Sequence, residues 1–107
     1  MTATKSKTQF DDYLLLGGFG PVEHEYRFHP VRKWRFDWAL PERKIAFEYD
    51  GLMSGQASHA SIGGILRDTD KINEAQRLGW DVYRVNAKTI QNGVAFTLAA
   101  AVLEEEK

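Results

Sequence analysis

Two short segments with alternating side chains, separated by three residues, constrain the fold of this 107-residue chain more than any other feature. Residues Trp34–Leu40 and Lys44–Asp50 each have the pattern of a β-strand, and Pro41-Glu42-Arg43 has the length and turn content of a hairpin connection. Alternate residues of a strand share one face. The pattern therefore predicts an antiparallel hairpin in which one face carries Phe36, Trp38, Leu40, Ile45, Phe47 and Tyr49 and the other carries Arg35, Asp37, Ala39, Ala46, Glu48 and Asp50.

The segments around this hairpin complete one α/β domain spanning residues 1–107, with an acidic C-terminal tail at about 104–107. The order αβββαβα predicts a mixed four-stranded β-sheet flanked by helices. Gly79 is expected to stop the second helix. The other predicted elements are a helix over Lys5–Leu16, a strand over Glu25–His29, a helix over Ile62–Leu78, a strand over Asp81–Val85 and a helix over Thr89–Glu106.

Apolar residues at helical spacing indicate which side of each helix is buried. In the last predicted helix, over Thr89–Glu106, Gly93 weakens the start. The three predicted stripes are Phe10, Tyr13 and Leu14; Ile65, Ile72, Ala75 and Leu78; and Val94, Leu98, Ala101 and Val102.

Composition narrows the chemistry available to the chain. A hydrophobic content of 43% with 27% charged residues is typical of a globular domain. The absence of cysteine excludes disulfides, thiolate metal sites and cysteine nucleophiles, so any metal must be held by oxygen or imidazole. No apolar run approaches the roughly 18 residues of a membrane span, and no secretory signal is evident. We therefore expect a cytoplasmic protein with no membrane partner.

The formal charge of −1 hides an uneven distribution of charges. Leaving out Glu104, Glu105 and Glu106 changes the sum to +2. The segment from His24 to Lys44 could contact nucleic acid, although a solvated basic surface is the simpler interpretation. Its basic residues are Arg27, Arg32, Lys33, Arg35, Arg43 and Lys44.

The hairpin register brings carboxylates together. If Leu40 pairs with Ile45, Asp37 lies directly opposite Glu48, and Asp50 follows two residues along the same face. Opposed side chains have Cβ atoms about 4.5–5.5 Å apart, so like charges there repel. A hard divalent cation such as Mg²⁺ would relieve the repulsion, and it can orient a nucleophilic water and offset phosphate charge. The alternative is that these carboxylates simply face solvent.

Phosphodiester hydrolysis also needs a cation fixed near the reacting phosphate. The candidate is Lys71, on the helix that follows a glycine-rich loop over Gly51–Gly64. Asp68 lies three residues earlier, a spacing that allows a local ion pair. From these residues alone, an exposed helical lysine is the simpler interpretation.

Two of these stretches carry a family resemblance. Trp34-Arg35-Phe36-Asp37 and Ala46-Phe47-Glu48-Tyr49-Asp50-Gly51 resemble the core of the PD-(D/E)xK nuclease superfamily. The runs Glu25–Pro30 and Asp68–Ala75, with Gly79-Trp80, are similar to small phage and bacterial nucleases related to VRR-NUC domains and Holliday junction resolvases. The resemblance covers about Glu25 to Val85.

The resemblance implies a mixed-sheet core flanked by helices, dependence on Mg²⁺ or Mn²⁺, and hydrolysis of DNA. It implies that Asp37 and Glu48 are metal ligands. Asp50 stands where the superfamily has a lysine, which leaves open whether Asp50 is a further ligand; in the narrower group the lysine on the following helix, here Lys71, substitutes. Glu25 is a further catalytic candidate, with Asp11 and Asp12 as alternatives for the same acidic position.

Other residues are candidates for DNA contacts. His59 matches a loop histidine of the narrower group and would touch the scissile phosphate or assist proton transfer; a solvent-exposed histidine is the alternative. Arg32, Lys33 and Arg35 are expected to hold flanking phosphates. Trp34 would either pack in the core or stack on a base, whereas core packing is expected for Trp38 and Trp80.

These observations predict a divalent-metal-dependent DNA endonuclease. No base-reading element is evident, so recognition of branched DNA by shape is favoured, with symmetric cleavage by a homodimer. One alternative is a nicking or repair nuclease that acts as a monomer. The other is a nucleic-acid-binding module without catalysis, suggested by Asp50 in place of the lysine.

Overall fold

The predicted hairpin lies at the centre of the fold. The computed structural model describes the backbone of residues 2–50 and 62–105 and the side-chain environment of residues 5–50 and 68–104. In chain order the elements are helix α1 (Thr2–Leu16), strands β1 (Glu23–Arg27), β2 (Arg35–Leu40) and β3 (Ile45–Tyr49), helix α2 (Ile62–Arg77), strand β4 (Asp81–Val85), and helices α3 (Ala87–Gln91) and α4 (Val94–Glu105).

The four strands form one mixed sheet in the order β1-β2-β3-β4, which confirms the predicted α/β class. β1, β2 and β3 are antiparallel to one another in turn, whereas β4 runs parallel to β3. Leu40 pairs with Ile45 and Trp38 with Phe47, so the predicted hairpin register is confirmed from the turn to this pair. The ladder ends there, and the predicted pairing of Asp37 with Glu48 is not part of it. The parallel pair requires a long crossover, and α2 supplies it.

Helices cover both faces of the sheet. Against one face, Phe10 and Leu14 of α1 pack with the apolar residues of α3 and α4. The ring of Phe10 is central there, with its centroid 5.1 Å from that of Trp38, 5.3 Å from that of Phe47 and 5.9 Å from that of Phe96. A second cluster, with Ala75 of α2, lies on the opposite face. The prediction of one apolar face and one carboxylate face is therefore wrong near the turn.

The assignment of Phe36 to the same face as Trp38 is also wrong. Phe36 belongs to the cluster under α2, whereas Trp38 belongs to the cluster under α1. Regular alternation would place both on one face, so β2 departs from it at Asp37. The register of β1 against β2 brings Glu25 to the same level, and Glu25 has a left-handed backbone with φ of +50°. The sheet is therefore irregular on both strands beside Asp37.

The bounds of β1 differ from the sequence prediction, whereas the end of α2 agrees with it. β1 runs from Glu23 to Arg27, two residues earlier than expected, because its ladder follows β2 and ends at the pair Arg27 and Arg35. α2 ends before Gly79 as predicted, and the φ of +93° at this residue is one that glycine adopts readily.

The last predicted helix is divided in two. Asn86 and Thr89 form a capping box at the start of α3, and Gly93, with φ of +88°, separates α3 from α4. The break shifts the phase of α4, so Val94 and Ala101 are exposed rather than buried. The buried residues of α4 are Ala95, Ala99 and Leu103, with Val102 partly buried. Among the described helices, none is long and apolar enough to cross a membrane.

Candidate active site

The carboxylate of Asp37 is fixed near the start of β2, beside the end of β3. Its Oδ2 accepts a hydrogen bond from the backbone N–H of Tyr49 at 2.7 Å. The backbone pairing of β2 and β3 ends at Trp38 and Phe47. Past this pair, the hydrogen bond from Tyr49 to the Asp37 side chain joins the two strands. The hydrogen bond to a backbone donor orients Asp37 toward the residues that follow Phe47, which include Glu48.

Glu48 is buried and paired with a lysine from another element. The residue is only 7% exposed, and its Oε2 accepts a hydrogen bond from Nζ of Lys71 at 2.6 Å. Lys71 lies on α2, and its ammonium is also 5.7 Å from the ring centroid of Phe36. The two charged side chains are 10% and 15% exposed, so the ion pair is largely removed from water. The expectation of an exposed helical lysine does not describe Lys71.

Burial raises the pKa of Glu48 above its ordinary value of 4.5. The hydrogen bond and charge of Lys71 lower the pKa, the charge of Asp37 raises it, and the charge of Arg84 lowers it, but burial is the largest effect. A buried carboxylate loses hydration that a single cation replaces only in part. A further cation close to Glu48 and Asp37 would therefore stabilise the ionised form.

The local pair expected between Lys71 and Asp68 is replaced by two longer-range contacts. Asp68 Oδ2 accepts a hydrogen bond from Nη2 of Arg84 at 3.1 Å. Arg84 lies beside Glu48 in the parallel ladder of β3 and β4. Lys71 is thus directed to Glu48, and Arg84 supplies a second positive charge at the same level of the sheet.

Asp50 and Glu25 lie at opposite sides of this arrangement. Asp50 is half-buried, and its backbone N–H continues the ladder to the carbonyl of Val85 at 2.7 Å. Glu25 is exposed, with Oε1 3.9 Å from Nε of Arg35, and it lines the same cleft as Asp37. The structure thus brings Glu25 to Asp37 and brings Lys71 to Glu48.

The two acids considered as alternatives to Glu25 differ in role. Asp11 accepts a hydrogen bond from Nε1 of Trp38 at 3.1 Å and also contacts His24. These contacts hold α1 against the sheet. Asp12 is exposed on the same helix.

A cleft of about 200 Å³ separates α1 from β1 and β2 next to Asp37. Lys7 is the cation of this cleft, with Nζ 5.4 Å from the ring centroid of Tyr49 and 6.0 Å from that of Trp38. Sequence reasoning did not single out Lys7. The signal available was its position one helical turn before Asp11, on the side of α1 that faces the sheet.

Asp37 and Glu48 have the chemistry of a hard-cation site. Among the described side chains, those of residues 5–50 and 68–104, no group of three or more histidines or carboxylates is placed to hold a metal ion. Mg²⁺ commonly uses only one or two carboxylates and completes its shell with water and phosphate oxygens. Asp37 and Glu48 are two such carboxylates, and the negative charge of Asp37 raises the pKa of Glu48.

The basic residues between His24 and Lys44 fall into two groups, exposed residues and residues that donate hydrogen bonds to the backbone. Arg32, Lys33 and Arg35 are exposed near the start of β2. Arg43 instead donates hydrogen bonds to the carbonyls of Phe19 and Leu103, both at 2.8 Å, and so stabilises the fold at the hairpin turn. Lys44 likewise donates to a backbone carbonyl, that of Leu78, at 3.1 Å.

The tryptophans follow their predicted division. Trp38 and Trp80 are 2% and 4% exposed, which confirms their place in the core. Trp34 is half-buried beside the exposed Arg32. His59 lies outside the described residues.

Comparisons with protein-family models, with curated proteins and with solved structures find no significant match to this chain. The function is therefore inferred from the residues of the site.

Proposed function

We propose that this chain is a divalent-metal-dependent DNA endonuclease of the PD-(D/E)xK type. The observation that carries the proposal is the hydrogen bond from Lys71 to Glu48, next to Asp37. Lys71 and Glu48 are 23 residues apart in the sequence and lie on different elements. Two carboxylates and one amino group thus meet at one end of the sheet, and this is the set of groups that metal-dependent phosphodiester hydrolysis uses.

Each residue has a distinct role in this proposal. Asp37 and Glu48 hold Mg²⁺ or Mn²⁺, and Asp50 is a further ligand. The bound ion would orient the attacking water and offset charge on the phosphate. Glu25, on the other side of the cleft from α1, is the additional acidic residue of the site.

Lys71 replaces the lysine expected at position 50. Its ammonium is held in place by Glu48 before any substrate binds, so little reorganisation is needed when negative charge develops on the phosphate. The exposed cations Arg32, Lys33 and Arg35 hold phosphates on either side of the cleaved bond. His59 is retained as a candidate phosphate contact.

The proposed substrate is branched DNA, cut by a homodimer in the manner of a Holliday junction resolvase. Phosphate contacts alone carry no sequence information, which favours recognition of shape. Symmetric cleavage of two strands requires two active sites related by a two-fold axis. Sedimentation of the protein alone and on a four-way junction tests this: a monomer in both states would favour the nicking or repair alternative.

Cleavage assays test the enzymatic proposal directly. Labelled four-way junction, flap and plain duplex DNA are incubated with the protein in Mg²⁺, in Mn²⁺ and in EDTA. We expect cleavage of the junction that requires the metal. Absence of cleavage of every substrate in both metals would overturn the nuclease proposal and favour the binding module, whereas equal cleavage of all three would overturn junction selectivity.

Variants locate the chemistry. Asp37→Asn and Glu48→Gln are expected to reduce cleavage to the EDTA background while DNA binding remains, because each removes a proposed metal ligand and leaves the exposed cations of the basic segment in place. Asp81→Asn is the matched control, since Asp81 is exposed and pairs with Ile45 at the opposite end of β3. Retained activity in Asp37→Asn or Glu48→Gln, or its loss in Asp81→Asn, would contradict the site.

A further inference from the structure

A column of planar groups runs from the core to the surface beside the candidate active site. The rings of Phe36 and Phe28 are stacked with centroids 4.1 Å apart and planes 5° apart. Trp34 continues the stack, 6.3 Å from Phe28 at 15°. The guanidinium of Arg32 lies over Trp34, 4.2 Å from its ring centroid. The column thus ends on the flat face of an exposed arginine.

The two ends of the column have different surroundings. At the inner end, the ammonium of Lys71 lies 5.7 Å from the ring centroid of Phe36. At the outer end, Arg32 is exposed, and none of the ion pairs among the described residues includes its guanidinium. A planar cation without a carboxylate partner offers a stacking surface for another planar group.

His29 fixes the loop that carries the outer end. Its Nδ1 accepts hydrogen bonds from the backbone N–H groups of Val31 at 3.1 Å and Arg32 at 2.9 Å. Its Nε2 therefore carries the proton and donates to Oε1 of Glu74 on α2 at 3.0 Å. The loop is thus joined to the helix that supplies Lys71. Preorganisation of this kind reduces the entropy lost when a ligand binds.

The space next to the column is a cleft of about 360 Å³ between the loop and α2. Its volume lies within the roughly 300–1,000 Å³ typical of ligand sites. The helix side presents Asp70, Asn73 and Glu74. Carboxylates repel a phosphate, whereas carboxylate and amide groups accept hydrogen bonds from the amino groups of bases. The charge distribution therefore favours a base in the cleft and phosphates outside it.

We propose that this cleft binds one unpaired nucleobase of the DNA substrate, which stacks on Arg32 and extends the column of Trp34 and Phe28. The proposal rests on the proposed function and makes it more specific: the preferred substrate has an unstacked base close to the cut. Lys33, adjacent and exposed, contacts the phosphate backbone without stacking.

The test is a binding measurement in EDTA, where no cleavage is expected. Fluorescence anisotropy compares three DNAs of equal length: one with a single unpaired base at a duplex end, one with an abasic nucleotide at that position, and a fully paired duplex. We expect the wild type to bind the unpaired base about 5- to 10-fold more tightly than the abasic form. Arg32→Lys keeps the charge but loses the plane, so it should remove this difference, and Lys33→Ala should weaken all three DNAs equally.

Equal binding of the unpaired and abasic DNAs by the wild type would overturn the proposal. So would an Arg32→Lys variant that retains the difference or weakens all three DNAs to the same extent. Circular dichroism confirms the fold of the variants, and substitution of exposed Arg32 leaves the rings of Trp34 and Phe28 in the chain. Cleavage in Mg²⁺ is scored separately: base preference without cleavage overturns the nuclease proposal alone, whereas cleavage without base preference overturns the stacking site alone.

Discussion

Helix α2 offers a cation to two glutamates, and the pKa values of the two move in opposite directions. Glu48 is buried against Lys71, and its pKa is raised. Glu74 accepts hydrogen bonds from Arg77 and His29, and these bonds lower its pKa to about 2. An ion pair alone therefore does not determine how easily a carboxylate ionises. The loss of hydration is the largest effect on the pKa of Glu48, whereas hydrogen bonding is the largest effect on the pKa of Glu74.

The difference separates a candidate reactive site from a structural contact. Glu74 is satisfied by its two partners and fastens the loop after β1 to α2. Ionisation of Glu48 is unfavourable because the carboxylate is buried, and the negative charge of Asp37 makes it more so. A buried group perturbed both by desolvation and by a specific charged neighbour is typical of functional sites. Four experiments compare the two glutamates, beginning with the largest expected effect.

Loss of the Lys71 cation should have the largest effect. Lys71→Met leaves the carboxylate of Glu48 buried without its partner, which should lower the free energy of unfolding by about 3 kcal/mol at pH 7, and cleavage should fall close to background. Urea denaturation measures the stability. The double variant Lys71→Met/Glu48→Gln should recover most of it, and Lys5→Met, at an exposed position of α1, serves as the control. A loss below about 1 kcal/mol in the single variant would show that the pair behaves as a surface contact.

A divalent cation should stabilise the site of Glu48 and leave that of Glu74 unaffected. An ion that binds only the folded state at ten times its dissociation constant adds about 1.4 kcal/mol. Thermal denaturation with and without Mn²⁺ measures this as a rise in melting temperature. Glu48→Gln and Asp37→Asn should abolish the rise, whereas Glu74→Gln should retain it. A full rise in Glu48→Gln would place the metal elsewhere.

The pH dependence of stability should distinguish the two glutamates by sign. Folded Glu48 retains its proton above pH 4.5, where the unfolded form ionises, so its contribution to the free energy of unfolding falls as pH rises above this value. Folded Glu74 stays ionised to about pH 2, so its contribution is present above pH 4.5 and is lost as pH falls toward 2.

Urea denaturation of the wild type, Glu48→Gln and Glu74→Gln across pH 2–8 measures these contributions as differences from the wild type. We expect the contribution of Glu48 to the free energy of unfolding to fall as pH rises above 4.5, and that of Glu74 to rise between pH 2 and 4.5. Parallel curves for both variants would contradict the distinction between the two glutamates.

Removal of Arg77 should have the smallest effect. Arg77 donates to Glu74 from an exposed position on the same helix, and such pairs contribute little to stability. Arg77→Gln should keep the melting temperature within about 2 °C of the wild type. Its pH profile should still be shallower below pH 4.5, because one of the two donors to Glu74 is lost. A large fall in melting temperature would show that the surface pair stabilises the fold more than this comparison allows.

The hairpin and its register could be predicted from the sequence because residue parity and a three-residue turn leave few alternatives. The paired residues run from Leu40 and Ile45 to Trp38 and Phe47, and the alignment of Asp37 with Glu48 predicted beyond them is not part of the ladder. The face of the sheet on which Phe36 lies could not be predicted, because it depends on a local irregularity beside Glu25. No glycine in this part of the sequence indicates the irregularity. Non-glycine residues rarely adopt a positive φ, so no sequence pattern indicates this one.

The ion-pair partners of Lys71 and Asp68 on α2 could not be predicted, because they depend on how the helix packs on the sheet. Spacing along the helix favoured a pair between Lys71 and Asp68, yet β3 and β4 place Glu48 and Arg84 opposite these residues. Local spacing identifies possible partners within one helix, but tertiary contacts decide among them. Similarly, Gly93 was recognised as a weak point, but its effect on the phase of α4 required the position of the helix against the sheet.

The ring of Phe10 has a consequence for how the chain acquires its structure. It contacts Trp38 and Phe47 in the middle of the sequence and Phe96 near its other end. During synthesis, the part of α1 that packs on Phe96 remains uncovered until α4 has left the ribosome. Contacts between distant parts of a sequence slow folding, so this core is completed only after α4 has been translated, and a nascent chain arrested before Gly93 presents an aggregation-prone surface.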